Sequence, residues 1–385
     1  MCGAFDNDFN RMTTKISKVK YVDLGKEYLE SKDEINAAFE RVMSAGSFIM
    51  RDDVSSFEQN ICRQLKVAYT IGVNSGTDAL FYSLAALGLS KGDEVLTVAH
   101  TFVATIAAIK HVGATPVLID IGDDFNIDPT KIEEQITEKT KVLLPVHMNG
   151  RTCDMDQILH LGDKYGITII EDAAQAFGAK FKGRYAGTFG AAGCFSAHPM
   201  KILSCPGDGG YITTDDSSLE AHIRLLRNHG QKSKSELVQY GFSSRLDNLH
   251  AAILNVKLQT VDDKINRRRV IADRYNRLLS DLPIKLPPSP TYQDHYDVYN
   301  SYVIRVSSSL RDALLSHLSS IGIEDFSHMA IPLYKNTALQ LNGSNLMKNE
   351  EISNEILSLP ICPQLADSEI DYVVSKVRSF FSRPR

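Results

Sequence analysis

Four short apolar runs, "DEVLTVAH", "ATPVLIDI", "TKVLLPVHM" and "GITIIEDAA", recur between residues 93 and 174, with longer segments between them. Each run is almost continuous in apolar residues, the pattern of strands covered on both faces. The intervening segments "TFVATIAAIKHV", "DPTKIEEQITEK" and "CDMDQILHLGDKYG" have helical spacing, and Asp154 stands near the start of the last as a cap. Strand–helix alternation of this kind requires right-handed crossovers and a mostly parallel sheet sandwiched by helices, an α/β fold.

Ahead of this region, amphipathic helices are predicted near Lys32–Ser44 and Val54–Leu65, and a third opens at Gly76. Past about Asn255 the texture changes. A long polar helix runs through Arg267–Leu279, followed by a proline-rich connector, "DLPIKLPPSPTYQDH". The strand "SYVIRV", the helix "LRDALLSHLSSIGI" and a closing helix "DSEIDYVVSKVRSFF" complete a smaller α+β unit. The expected organisation is a flexible lead-in at 1–20, a large domain at 21–255 and a small C-terminal domain at 256–385. A chain of 385 residues is long enough for both. No internal repeat or low-complexity tract is present.

Bulk properties narrow the partners. A net charge of −5 and a pI near 6.1 argue against a nucleic-acid surface or a polybasic membrane patch. The densest basic run, "NRRRVIADRYNR", reads as a solvated helix face. No apolar run approaches the roughly 18–20 residues that span a bilayer. The first 20 residues carry no apolar core of a secretory signal, and Met12 is a possible alternative start. The six cysteines are scattered without a C-x-x-C pair. Neither a disulfide framework nor a metal site is expected, and reduced thiols in the cytoplasm are the plain reading.

Ligands in such sheets bind outside the carboxyl ends of the strands. Several residues fall there. "ITIIEDAAQAFG" ends its run in Glu171 and Asp172, either of which can face the cleft or cap the next helix. "NSGTDAL" puts Ser75, Gly76 and Thr77 at a helix start, where free amides and hydroxyls suit a phosphate; an ordinary cap explains it equally well. Phe102 lies just past a strand end and is a candidate to stack on a planar ligand, although a lone Phe is more often core. Ser196 precedes Lys201 by five residues and offers a further hydroxyl. Lys201 itself sits in "SAHPMKILSCPGDGG", small and apolar surroundings that penalise a charge unless it is paired or used. Together these are the parts that hold pyridoxal phosphate: the lysine forms a Schiff base with its aldehyde, and the acid pairs with the pyridine nitrogen.

The ordered segments "VDLGKEY", "NSGTDAL", "TFVATIAAI", "GATPVLIDI", "EDAAQAFGA", "FSAHPMKIL", "GDGGYITTDD", "LRNHG", "SSRLDNLHAAIL" and "LSLPICPQLADSEIDYVV" make the chain resemble the DegT/DnrJ/EryC1/StrS sugar aminotransferases, which have the aspartate-aminotransferase (type I) fold. The resemblance runs from about Tyr21 to near the C-terminus. It implies that Lys201 is the Schiff-base lysine and proton shuttle and that Asp172 pairs with the pyridine nitrogen. It places Gln175 near the ring's phenolic oxygen and Phe102 on the ring face, with Gly76, Thr77 and Ser196 on the phosphate. It also implies a homodimer in which "GFSSRLDN" reaches the partner's cofactor phosphate. Ser243 stands there where asparagine is usual, and Arg245 is present. The implied reaction moves an amino group from an amino acid, L-glutamate, to a keto sugar, most often nucleotide-linked, by way of pyridoxamine phosphate. Unlinked keto or aldehydo sugars, sugar acids and sugar phosphates are alternatives. A non-catalytic cofactor-binding regulator is another, but no basic patch supports it. Related dehydratases replace the lysine with histidine, and this chain keeps Lys201.

Three departures from the family pattern stand out. His147-Met148-Asn149-Gly150 replaces the common H-L-Y-G, Ser243 replaces asparagine, and Ala197 precedes His198 where an aromatic is common. The first and third are expected to bear on substrate choice. Asn149 and Arg151 lie past a strand end and can hold an anionic or hydroxyl-rich group, with local pairing the stronger expectation for Arg151.

Overall fold

The computed structural model describes residues 18–290, 294–324, 329–343 and 345–382; Met12 and most of the expected lead-in lie outside them. A seven-stranded sheet forms the core. Its strands are β1 (Tyr69–Val73), β2 (Glu94–Val98), β3 (Thr115–Ile119), β4 (Thr140–Leu143), β5 (Thr168–Asp172), β6 (Ala192–Ser196) and β7 (Gly210–Thr214). Their spatial order is β1-β7-β6-β5-β4-β2-β3. All neighbours are parallel except β7, which runs against both β1 and β6. The amino end of β7 therefore joins the carboxyl ends of its neighbours at one edge.

The expected helices form at Lys32–Ala45, Asp52–Leu65, Gly76–Ala86, Val103–His111 and Met155–Tyr165. Asp154 caps the last, its carboxylate accepting from the Gln157 amide (3.3 Å). One expectation fails. "DPTKIEEQITEK" is two 3-10 turns, Pro129–Lys131 and Glu133–Gln135. Of its residues only Ile132 is a fully buried apolar anchor, and its β-branched positions favour a helix little.

A second hydrophobic cluster surrounds the antiparallel strands Ile284–Lys285, Tyr302–Val306 and Ile356–Leu359. The helix Asn248–Leu258 packs with the large sheet, whereas Val261–Leu279 contributes Val261 and Ile265 to that core and Ile271, Tyr275 and Leu279 to the second. Val19 is fully buried in the second cluster and pairs with Ile323. Polar contacts tie the two units. Asp120, after β3, accepts from the amides of Lys348 and Asn349 (both 2.8 Å) at the start of the helix Met347–Glu355. Arg305 meets Asp123 at 2.7 Å. The second unit thus overhangs the carboxyl edge of the sheet.

Candidate active site

A cavity of about 310 Å³ opens at that edge. The turns after β1, β2, β4, β5 and β6 supply its floor and walls, and Tyr21, Asn300 and Val303 close it from the overhanging side. Gly76, Thr77, Phe102, Asp172, Gln175, Ser196 and Lys201 all line it.

At one end the helix Gly76–Ala86 points its amino terminus into the space. Ser75 caps it, its hydroxyl accepting from the Asp78 amide (3.1 Å) and its carbonyl from Ala79 (3.0 Å). The amides of Gly76 and Thr77 precede these bonds and face outward, as the first amides of a helix do. A Cβ at Gly76 would stand 2.7 Å from Ser196 Cβ, so only glycine lets the helix start meet the end of β6. The result is a narrow cup of amides and hydroxyls suited to an anion.

Successive strand residues face opposite ways, which separates Glu171 from Asp172. Glu171 is fully buried behind the sheet edge. It accepts from the amides of Gly187 (2.7 Å), Phe189 (2.6 Å) and Gly190 (2.7 Å), and from His147 Nε2 (2.9 Å). His147 Nδ1 accepts from the Cys153 amide (3.1 Å), so the proton resides on Nε2. Glu171 is a structural clamp.

Asp172 faces the cavity. Its Oδ2 accepts from the Thr105 hydroxyl (2.8 Å) and its Oδ1 from the Ala174 amide (3.2 Å). Burial raises its carboxyl above the usual range, and those two donors pull it back. Lys201 follows β6 in a loop pinned by its own amide to the His198 carbonyl (2.9 Å). Burial pushes its ammonium down from the usual lysine range, with Asp172 acting the other way. Gln175 Oε1 accepts from the Asn149 amide (2.9 Å). The Asn149 backbone N–H can only donate, so the Gln175 oxygen faces it and the Gln175 NH₂ is left as a donor toward the cavity. Phe102 is 61% exposed at the cavity; it is not core, and its ring is available to a ligand.

Other candidates lie elsewhere. Ser243 and Arg245 do not line this cavity; Arg245 donates to Asn228 Oδ1 (3.2 Å) and Ser243 Oγ (2.9 Å). Arg151 is buried and paired with Asp124 (3.3 Å) and Asp297 (2.8 Å), so the local reading holds and the anion-binding one does not. Ala197 is fully buried against Cys205 and Gly209; that departure concerns packing rather than the cavity wall. Asn149 does line the cavity, at φ 59°, a left-handed conformation asparagine tolerates. Sequence reasoning missed Thr105, Thr101, His100, Tyr21 and Asn300, which also line it. Thr105 had a legible signal: it is three residues past Phe102, on the first turn of the helix that follows β2.

The donor set fits pyridoxal phosphate: an anion cup, a buried carboxylate and a desolvated amine share one cavity. That combination defines a cofactor-dependent transferase of the type I class. The sequence matches the DegT/DnrJ/EryC1/StrS aminotransferase family over residues 29–378, and the chain belongs to that family. It is a pyridoxal-phosphate-dependent aminotransferase. It is 38% identical to a dTDP-3-amino-3,6-dideoxy-alpha-D-galactopyranose transaminase of Aneurinibacillus thermoaerophilus, over 94% of this chain and 99% of that one. A Pleiotropic regulatory protein of Geobacillus stearothermophilus is also 38% identical, over 94% and 98%. The solved structure of DesV from S. venezuelae superposes with a TM-score of 0.92 at 36% identity, covering 96% of this chain and all of that one.

Proposed function

We propose that the chain transfers an amino group from L-glutamate to a nucleotide-linked keto sugar, for the biosynthesis of amino sugars of cell-surface polysaccharide or natural products. The observation that carries this reading is the convergence of Lys201, Asp172 and the Gly76–Ser196 cup on one cavity. Bound there, the cofactor supplies an aldehyde that takes up the donor's amine and a ring that draws electrons from the donor's α-carbon.

The chain's own residues do the rest. Gly76, Thr77 and Ser196 hold the phosphate, and Phe102 covers one ring face. Asp172 keeps the proton on the ring nitrogen, and the Gln175 NH₂ donates to the phenolic oxygen. Lys201 Nζ takes the proton from the donor's α-carbon; in the second half-reaction it returns one to the carbon that receives the amine. It does this only when neutral, and its burial favours that form. The complete Lys201, Asp172 and Gln175 set argues for catalysis rather than a purely regulatory role.

The same reading includes a homodimer. Phe39, Met43, Phe48, Ile49 and Met50 expose large apolar surface. This stretch joins the "GFSSRLDN" segment through the Asn248 amide and the Phe48 carbonyl (2.9 Å). A second copy would cover that face and bring Ser243 and Arg245 to its partner's phosphate. Buried, unpaired Cys153, Cys194, Cys205 and Cys362 suit the cytoplasm.

The test is to load the protein with pyridoxamine phosphate and offer a panel of keto sugars, following the return of the cofactor's visible absorbance. Nucleotide-linked keto sugars should react with the highest kcat/KM, and Asn149→Tyr should change the order of preference. If a free keto sugar, sugar acid or sugar phosphate wins by several powers of ten, the nucleotide-sugar assignment is wrong while the aminotransferase stands. Mixing Lys201→Ala with Arg245→Ala should restore part of the activity if the dimer shares its sites.

A further inference from the structure

We propose that Thr105, backed by Thr101, is a positioning residue that holds Asp172 as an anion aimed at the cofactor's ring nitrogen through a one-way chain of hydroxyls. Three distances carry it. Thr101 Oγ1 lies 2.7 Å from Thr105 Oγ1, Thr105 Oγ1 lies 2.8 Å from Asp172 Oδ2, and the Ala174 amide lies 3.2 Å from Asp172 Oδ1.

The direction of the chain follows from counting protons. An ionised carboxylate only accepts, so Thr105 must donate to Asp172. A hydroxyl has one proton, so Thr105 must accept from Thr101. Each bond polarises the next in the same sense. A protonated Asp172 would have to reverse the chain or abandon it. The donations from Thr105 and from the Ala174 amide, which can only donate, favour the charged acid, in a place where burial favours the neutral one. Thr105 is 0% and Thr101 1% exposed, so water competes poorly for either hydroxyl.

The chain also fixes orientation. With Oδ2 held by Thr105 and Oδ1 by Ala174, the carboxylate cannot rotate about its own axis. The other titratable groups around Asp172 are Lys201 in the loop after β6, His147 after β4 and Cys194 beside it on β6. Burial and Asp172 itself keep the Cys194 thiol protonated, and His147 donates to Glu171 on the opposite side. None of these donates a proton to Asp172 Oδ2.

This inference rests on the cofactor-binding reading and not on the identity of the acceptor. It is tested on the holoenzyme loaded with pyridoxal phosphate carrying nitrogen-15 in the ring, whose resonance reports whether that nitrogen holds a proton. Thr105→Val keeps the shape and removes the donor. The pH at which the ring loses its proton should fall by about one unit, and turnover by about tenfold, as expected for one lost bond to a charged group. Thr101→Val should shift both in the same direction by less, because it acts through Thr105. Thr105→Ser, which keeps the hydroxyl, should restore the wild-type midpoint. A midpoint unchanged in Thr105→Val, or a larger shift in Thr101→Val than in Thr105→Val, overturns the proposal. If Thr105→Val does not fold, Thr101→Val against wild type decides by the same midpoint. A wild-type protein that binds no cofactor would instead overturn the reading beneath it.

Discussion

The two sides of the β5 terminus are built from the same material. Glu171 and Asp172 are adjacent, acidic and buried. Behind the sheet, Glu171 meets four donors, three amides and one imidazole, and its lone pairs are used up. In front, Asp172 meets a hydroxyl and an amide, with a lysine across the cavity. The first carboxylate is finished within the fold. The second is left short of partners, and so is the Lys201 amine. Buried polar groups are ordinarily satisfied, and the incomplete pair marks where something else must bind.

The comparison breaks first at Lys201. Lys201→Ala should lower turnover by more than about 10³-fold, the scale of lost acid–base catalysis, while pyridoxamine phosphate still binds through the separate cup. Near-wild-type transamination in a coupled assay would remove Lys201 from the mechanism. Asp172→Asn comes next: an amide cannot stabilise a protonated ring nitrogen, so the rate should fall by about 10²–10³-fold with the unfolding midpoint no lower than wild type. Full activity in that variant would reduce Asp172 to a cap on the turn after β5, where it accepts from the Ala174 amide.

Glu171→Gln should show the opposite pattern. An NH₂ among backbone donors leaves buried groups unpaired, at about 1–3 kcal/mol of stability, read as a lower denaturant midpoint. Turnover of the folded enzyme should stay within a few-fold. A large loss of kcat at unchanged stability would mean that the two sides are not separate.

The smallest effect concerns the cofactor-free protein. Lys201 has a folded pKa below its ordinary 10.5 because burial disfavours the charge. Between the two values the unfolded chain binds more protons than the folded one, so this residue costs stability that is recovered as pH rises. Lys201→Met should therefore melt a few degrees higher than wild type near neutral pH, and the gain should shrink toward pH 10.5. A gain that grows with pH would contradict the assigned direction.

The sheet was readable because strands covered on both faces are apolar throughout, and "GITIIEDAA" announces itself by composition. The antiparallel strand Gly210–Thr214 was not, since direction depends on which neighbours it joins. Asp172 and Lys201 were legible through motif order. Residue type alone does not separate Glu171 from Asp172; the family resemblance gives the ring nitrogen to Asp172, and the cavity side of β5 supplies the physical reason. Arg151 was ambiguous because its partners Asp124 and Asp297 lie 27 and 146 positions away. "DPTKIEEQITEK" misled because its spacing imitates a helix that its single buried anchor cannot sustain.

The tight approach of Gly76 to Ser196 has an evolutionary consequence. Any side chain at position 76 would push the helix start off β6, so that position is closed to single substitutions. Asn149 also lines the cavity, at a position where the resembling family commonly carries tyrosine. A lineage of enzymes built on this frame can therefore vary the acceptor at lining positions such as 149 while position 76 keeps its grip on the shared cofactor.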